Sequence, residues 1–155
     1  MTGAEGWRED VARLRAAGPR GVLFLCVANS ARSQMAEGIA RHLAPPGVEV
    51  WSAGSEPATL NPLAVVALAE VGVDLSGHHS KGMDAVPADR VDAVVTLCAE
   101  EVCPAWLGSA LHLHWGLPDP AAAPEESRLD AFRATRDELL RRLRAWFAKP
   151  TKPSP

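Results

Sequence analysis

Cys26 and Arg32, separated by five small or polar residues and followed directly by Ser33, are the side chains whose types and spacing could do chemistry. A thiolate at Cys26 attacks an electrophilic centre, and the planar guanidinium of Arg32 can hold two oxygens of a tetrahedral anion at once. Between them Val27, Ala28, Asn29, Ser30 and Ala31 make a short turn. Its backbone N–H groups, with the positive end of a following helix, form a cradle for an oxyanion. Those positive surroundings favour the thiolate, and the Ser33 hydroxyl can donate to the sulfur. Asn29 suits the middle of the turn because its amide can bridge the loop and its backbone tolerates the left-handed region. A bare Cys-x5-Arg spacing describes a buried strand-end cysteine and a solvated arginine equally well. A buried strand before it, a helix after it and Ser33 make it an oxyanion-binding loop.

The elements that must position these residues follow from hydrophobic pattern. Residues 21–27 are a continuous apolar run, suited to a strand buried on both faces. Residues 33–43 carry Met35, Ile39, Ala40 and Leu43 at helical spacing until Pro45-Pro46 stops them. Further strands are expected over 48–53, 91–97 and 111–115. Helices are expected over 62–71, with Pro62 near its start, and over 127–147, with Leu129, Phe132, Leu139, Leu143, Trp146 and Phe147 on one stripe. Alternating strands and helices imply an α/β fold, a four-stranded parallel sheet flanked by helices on both faces. Ligands of such sheets bind beyond the carboxyl ends of the strands. Cys26 ends the first strand and Cys98 lies just beyond the third, so the two thiols belong to the same side of the molecule.

At 155 residues the chain suits one domain. We divide it into an N-terminal extension over 1–20 that reads as a short helix, a domain over 21–148, and a proline-rich tail over 149–155 that reads as disordered. A net charge of −3 argues against a general nucleic-acid or membrane partner, so any anion site must be local. Neither a membrane-spanning apolar stretch nor a secretory signal is evident, and a cytoplasmic location is expected. There Cys26, Cys98 and Cys103 are expected to be reduced at rest, and such cysteines are more often catalytic, redox-active or metal-binding than structural.

The run from Val22 to Gly38, with Cys26, Arg32 and Ser33 at its centre, resembles the signature of the low-molecular-weight protein tyrosine phosphatase superfamily. More narrowly it resembles the thioredoxin-coupled arsenate reductases on that fold. The likeness continues through Ser52-Ala-Gly54, Asn61-Pro62, His78-His-Ser80, Val94-Val-Thr-Leu-Cys98, Cys103-Pro104 and Trp115-Gly-Leu-Pro-Asp-Pro-Ala121, nearly the whole chain. It implies that Asp119 is the general acid. Without the resemblance, Asp119 would read as a turn aspartate between prolines. It also implies a relay. Cys26 attacks arsenic, Cys98 attacks the Cys26 sulfur and releases arsenite, and Cys103 takes the disulfide from Cys98 and frees Cys26. The last transfer is thiol–disulfide exchange. The implied partners are arsenate, phosphate or sulfate as competing oxyanions, and thioredoxin or another thiol reductant, for a monomeric enzyme without cofactor or metal.

Departures from the family are also legible. Four residues separate Cys98 from Cys103 where the family usually has six, which bears on the reductant and on the relay order. The position after Val27 is Ala28 rather than glycine. Several members hold potassium beside the loop through residues matching Asn29, Glu37 and Ser52 and an acidic side chain; here the acidic position is Lys81, whose ammonium could replace the ion, so no potassium requirement is expected. His78 and His79 read as loop-structuring residues. Zinc held by Cys98, Cys103, His112 and His114 is a rival reading, but its spacings are not the paired ones typical of zinc sites. The remaining alternatives are a tyrosine phosphatase whose extra cysteines protect Cys26 by reversible oxidation, and a non-catalytic oxyanion-binding module. The absence of tyrosine from the chain leans away from the phosphatase branch.

Overall fold

The structure, a computed structural model, describes residues 6–99, 106 and 108–148. Four parallel strands, β1 (Gly21–Cys26), β2 (Glu49–Gly54), β3 (Ala93–Cys98) and β4 (Leu111–Leu117), lie in the order β2-β1-β3-β4. The α-helices are α1 (Gly6–Ala17), α2 (Arg32–Leu43), α3 (Pro62–Ala69) and α4 (Arg128–Trp146). β1 is central and every one of its residues is buried, which is why its sequence is apolar without alternation. β4 is an edge strand, and its alternating exposed and buried residues match that place.

The two faces of the sheet are covered differently. Val22, Phe24, Val95, Leu113 and Trp115 face a core built with Trp7, Leu14, Ile39, Leu68, Phe132 and Leu143 from all four α-helices. On the opposite face Leu23, Leu25 and Val94 meet Val86 and Val91, and Met83, Trp106 and Ala110 pack around them. That side carries short 3-10 helices, at Met83–Ala85 and Ala88–Arg90, so of the helices expected on both faces the α-helices among the described residues all lie on one. Burying an aliphatic core side chain stabilises by about 1.5–3 kcal/mol, so the helical face supplies most of the fold's stability.

Several expected boundaries shift by one to two residues. β4 runs on to Leu117, and β3 ends on Cys98 itself rather than just before it. Residues 149–155, expected as a tail, and Cys103 lie outside the described residues. The N-terminal segment is more than an appendage: α1 buries Trp7, Val11 and Leu14 in the main core. No helix among the described residues is long and apolar enough to cross a membrane.

Candidate active site

Cys26 is the last residue of β1 and Arg32 the first of α2, so the loop joins a buried strand directly to a helix N-terminus. The carbonyls of the loop are all committed to donors behind it. Val27 O accepts from Glu56 N (2.9 Å), Ala28 O from Ala58 N (3.0 Å), Ser30 O from Asn61 N (2.9 Å) and Ala31 O from Met35 N (2.9 Å). Asn29 O accepts from the Ser80 hydroxyl at 2.6 Å. No cis peptide occurs among the described residues, and in a trans peptide the N–H points opposite to the carbonyl. Turning the carbonyls of residues 27–31 outward therefore turns the N–H groups of residues 28–32 inward. Such a ring of N–H groups can hold a tetrahedral anion, and the hydrogen bonds behind it fix its shape.

Asn29 sits at φ 49°, the only non-glycine among the described residues with positive φ. Its amide explains how the strain is held. Nδ2 donates to Ser33 Oγ (2.8 Å) and to Ser52 Oγ (3.0 Å). Oδ1 accepts from Gln34 Nε2 and from the Lys81 backbone N–H, both at 2.9 Å. Ser33 Oγ, which accepts from Asn29, also lies within hydrogen-bond distance of Cys26 Sγ, 2.8 Å away.

Behind Asn29 lies a second, charged layer. Ser52 donates to Glu37 Oε1 at 2.5 Å, and Lys81 Nζ lies 3.3 Å from that carboxylate and 3.5 Å from Ser52 Oγ. Arg41 Nε pairs with the other Glu37 oxygen at 2.8 Å. Glu37 is only 3% exposed, so these cations compensate a charge that would otherwise be costly to bury. His78 Nδ1 faces Gln34 Oε1 at 3.2 Å and Glu37 Oε2 at 3.7 Å. Burial pushes the imidazole below its ordinary value, partly opposed by Glu37. The expected loop-structuring histidines thus act in different ways, His78 through its ring and His79 through its carbonyl, which accepts from Gln34.

Arg32 is 4% exposed and donates through Nη1 to Leu117 O (2.9 Å) and toward Leu97 O (3.5 Å), tying the loop to the ends of β4 and β3. Cys98 ends β3, which neighbours β1 in the sheet; it is 1% exposed and held in a disulfide, while Cys26 is a free thiol. Asp119 lies two residues beyond β4, exposed, with Oδ1 capping the following 3-10 turn through Ala121 N at 3.0 Å. A cavity of about 740 Å³ opens between this turn and α4, and Asp119, Leu117, Ala99 and Thr135 line it. The acid and the residue after Cys98 therefore share one hollow.

His112 and His114 are exposed on one side of β4, with Nδ1 of His114 2.6 Å from the Thr96 hydroxyl. No group of three or more metal-ligating His, Cys, Asp or Glu side chains occurs among the described residues. Two contributors to the site carry roles the motif itself did not suggest. Gln34 is fully buried and bridges Asn29 to the carbonyl of His79; the signal was an uncharged amide on the apolar side of α2. Gly54 ends β2 directly against the loop, where a Cβ would stand 2.3 Å from Val27 O.

Residues 21–153 match the family model described as low molecular weight phosphotyrosine protein phosphatase. The chain belongs to that family. A relative from Halalkalibacterium halodurans, named arsenate reductase, is 42% identical over 135 residues, covering 84% of this chain and 96% of the relative. A solved structure described as an arsenate reductase in the phosphate binding state matches with a TM-score of 0.71 at 34% identity, over 83% of this chain and 97% of that one. A thioredoxin-dependent arsenate reductase of Corynebacterium glutamicum matches with a TM-score of 0.57 at 32% identity, over 91% of this chain and 73% of that one.

Proposed function

We propose that the protein reduces arsenate to arsenite with electrons from its own thiols. The observation that carries this reading is the placement of Cys98. It ends the strand beside the one that ends in Cys26, and it is the cysteine held in a disulfide while Cys26 stays free. Ester hydrolysis needs a single thiol and water, whereas reducing arsenate needs two electrons, which a second thiol beside Cys26 can supply.

Arsenate enters the cradle of inward N–H groups, with Arg32 holding two of its oxygens. The Cys26 thiolate forms a sulfur–arsenic bond, and one arsenic–oxygen bond breaks as Asp119 supplies the proton that lets the oxygen leave as water. The Cys98 thiolate then attacks Cys26 Sγ. A sulfur–sulfur bond forms, the sulfur–arsenic bond breaks, and its electron pair stays on arsenic, which leaves as arsenite. Cys103 attacks Cys98 Sγ and releases Cys26 as a thiolate. The Cys98–Cys103 disulfide holds the two-electron oxidation until a dithiol reductant removes it. Thioredoxin is the reductant favoured by the Corynebacterium relative, and we take the enzyme to be a cytoplasmic monomer.

The Lys81 ammonium stands against Glu37 and Ser52, where a cation between those oxygens would have to be. These residues do not suit a resident potassium ion, so no step involves one. Phosphate and sulfate fit the same cradle as arsenate and compete for it, and slow cleavage of phosphate esters is expected from the shared geometry. The test is to incubate the reduced protein with arsenate and thioredoxin, thioredoxin reductase and NADPH. Stoichiometric arsenite and NADPH oxidation support the reading, whereas efficient phosphotyrosine hydrolysis without arsenite contradicts it.

A further inference from the structure

Helix α1 lies wholly before residue 21, where the family match begins, yet its apolar side is buried in the main core. Two polar contacts fix it there. Arg15 Nη1 donates to the carbonyls of Ala145 (2.9 Å), Trp146 (3.3 Å) and Ala148 (3.1 Å), closing the C-terminal end of α4. Asp10 Oδ2 accepts from the indole N–H of Trp115 at 3.2 Å, from the middle of α1 to the edge strand.

Trp115 is 2% exposed and firmly boxed. Trp146 meets it edge-on at 6.5 Å, and the Arg142 guanidinium stands 5.6 Å from its ring and 5.7 Å from that of Trp7. The strand just beyond it has less support. β4 pairs on one side only, and its register with β3 shifts between Thr96 and Cys98, so Leu117 pairs with Cys98 across an irregularity. This weakly tethered end nevertheless presents the Leu117 carbonyl to Arg32 and leads into Asp119.

We propose that α1 is a strut that sets the end of β4, with Asp10 as a positioning residue that acts through Trp115 on Arg32 and Asp119. Asp10 holds the indole, the indole holds the strand two residues short of Leu117, and Leu117 holds Arg32. Losing the acceptor leaves a buried N–H unsatisfied and lets the strand end shift. The proposal takes the oxyanion site from the reading above, but its test needs only anion binding and no arsenate turnover.

The measurement is protection of Cys26 from iodoacetamide by inorganic phosphate, mapped to the Cys26 peptide by mass. Asp10→Ala is expected to weaken the phosphate constant roughly fivefold. Asp10→Asn, which keeps an acceptor oxygen, restores it. Trp115→Phe removes the donor but keeps a large ring, and should weaken phosphate as Asp10→Ala does. The double variant should be no worse than either single one, because both break the same bond. Arg15→Ala uncaps the end of α4 while Trp7, Val11 and Leu14 keep α1 in the core and Asp10 on Trp115, so it lowers Tm and leaves phosphate protection unchanged. A purely structural α1 would give the opposite pattern, with phosphate constants unmoved in Asp10→Ala and Trp115→Phe, or weakened equally in Arg15→Ala; either outcome overturns the proposal. Wild-type protein that binds phosphate but does not reduce arsenate removes the reductase reading alone.

Discussion

The two halves of the site are held in opposite ways. The loop from Cys26 to Ser33 is fixed from behind by donors from residues 56, 58, 61, 80 and 81, and even its strained residue has its amide engaged at both ends. The segment carrying Asp119 leaves an edge strand after an irregular pair, and the acid itself is exposed and capped only locally. Chemistry explains the difference. Holding a tetrahedral anion rewards donors that do not have to reorganise, whereas passing a disulfide between thiols requires groups to approach and separate. On the proposed mechanism, rigidity is concentrated at the oxyanion loop, and Asp119 stands on the less tethered half.

Arg32→Lys breaks the rigid half most severely. A point charge replaces the fork that bonds Leu117 O and would bind two anion oxygens. Arsenate kcat/KM should fall by roughly a hundredfold, measured in the coupled assay. Gly54→Ala attacks the same half from behind. Its Cβ meets Val27 O, so the loop must shift, with an expected cost of about 1–3 kcal/mol in stability and a loss of phosphate protection at Cys26. Thermal unfolding and alkylation measure the two effects.

Much of this arrangement was legible in the chain. The apolar run of β1 and the spacing of Cys26, Arg32 and Ser33 predicted the loop and its place between strand and helix, because a buried central strand and a helix start leave strong local patterns. Asn29 at positive φ was expected for the same reason. The support behind the loop was harder to read. Glu37, Ser52 and Lys81 came only from family resemblance, and Gln34 and Gly54 act through contacts across 20 or more residues that have no periodicity. The role of α1 was the least legible. Trp7, Val11 and Leu14 gave weak helical spacing, and nothing local says that Asp10 meets Trp115.

Lys81→Ala sharpens the account of the charged layer. Glu37 keeps Arg41 but loses the ammonium, so activity should drop severalfold and potassium should partly restore it, while the wild type runs equally in sodium and potassium buffers. Strong potassium activation of the wild type would contradict the place given to Lys81. The smallest expected effect is one of pH. His78 titrates lower in the folded protein than when unfolded, so folding favours its neutral form. Its contribution is complete above about pH 6.5, the ordinary histidine value, and is lost as pH falls through the folded value. Chemical denaturation between pH 7.5 and 5.5 should show this decline, and it should shrink in His78→Gln.

The central claim is that Cys98 gives electrons to the Cys26–arsenic adduct by attacking the Cys26 sulfur, which leaves the bond's electron pair on arsenic. Its most direct test is arsenite release by Cys98→Ser with excess thioredoxin system, beside wild type. The account predicts that the variant still binds phosphate at Cys26 yet releases no arsenite above background, while the wild type turns over and, without reductant, stops with one disulfide mapped to Cys98 and Cys103. Sustained arsenite production by Cys98→Ser at the wild-type rate would contradict it.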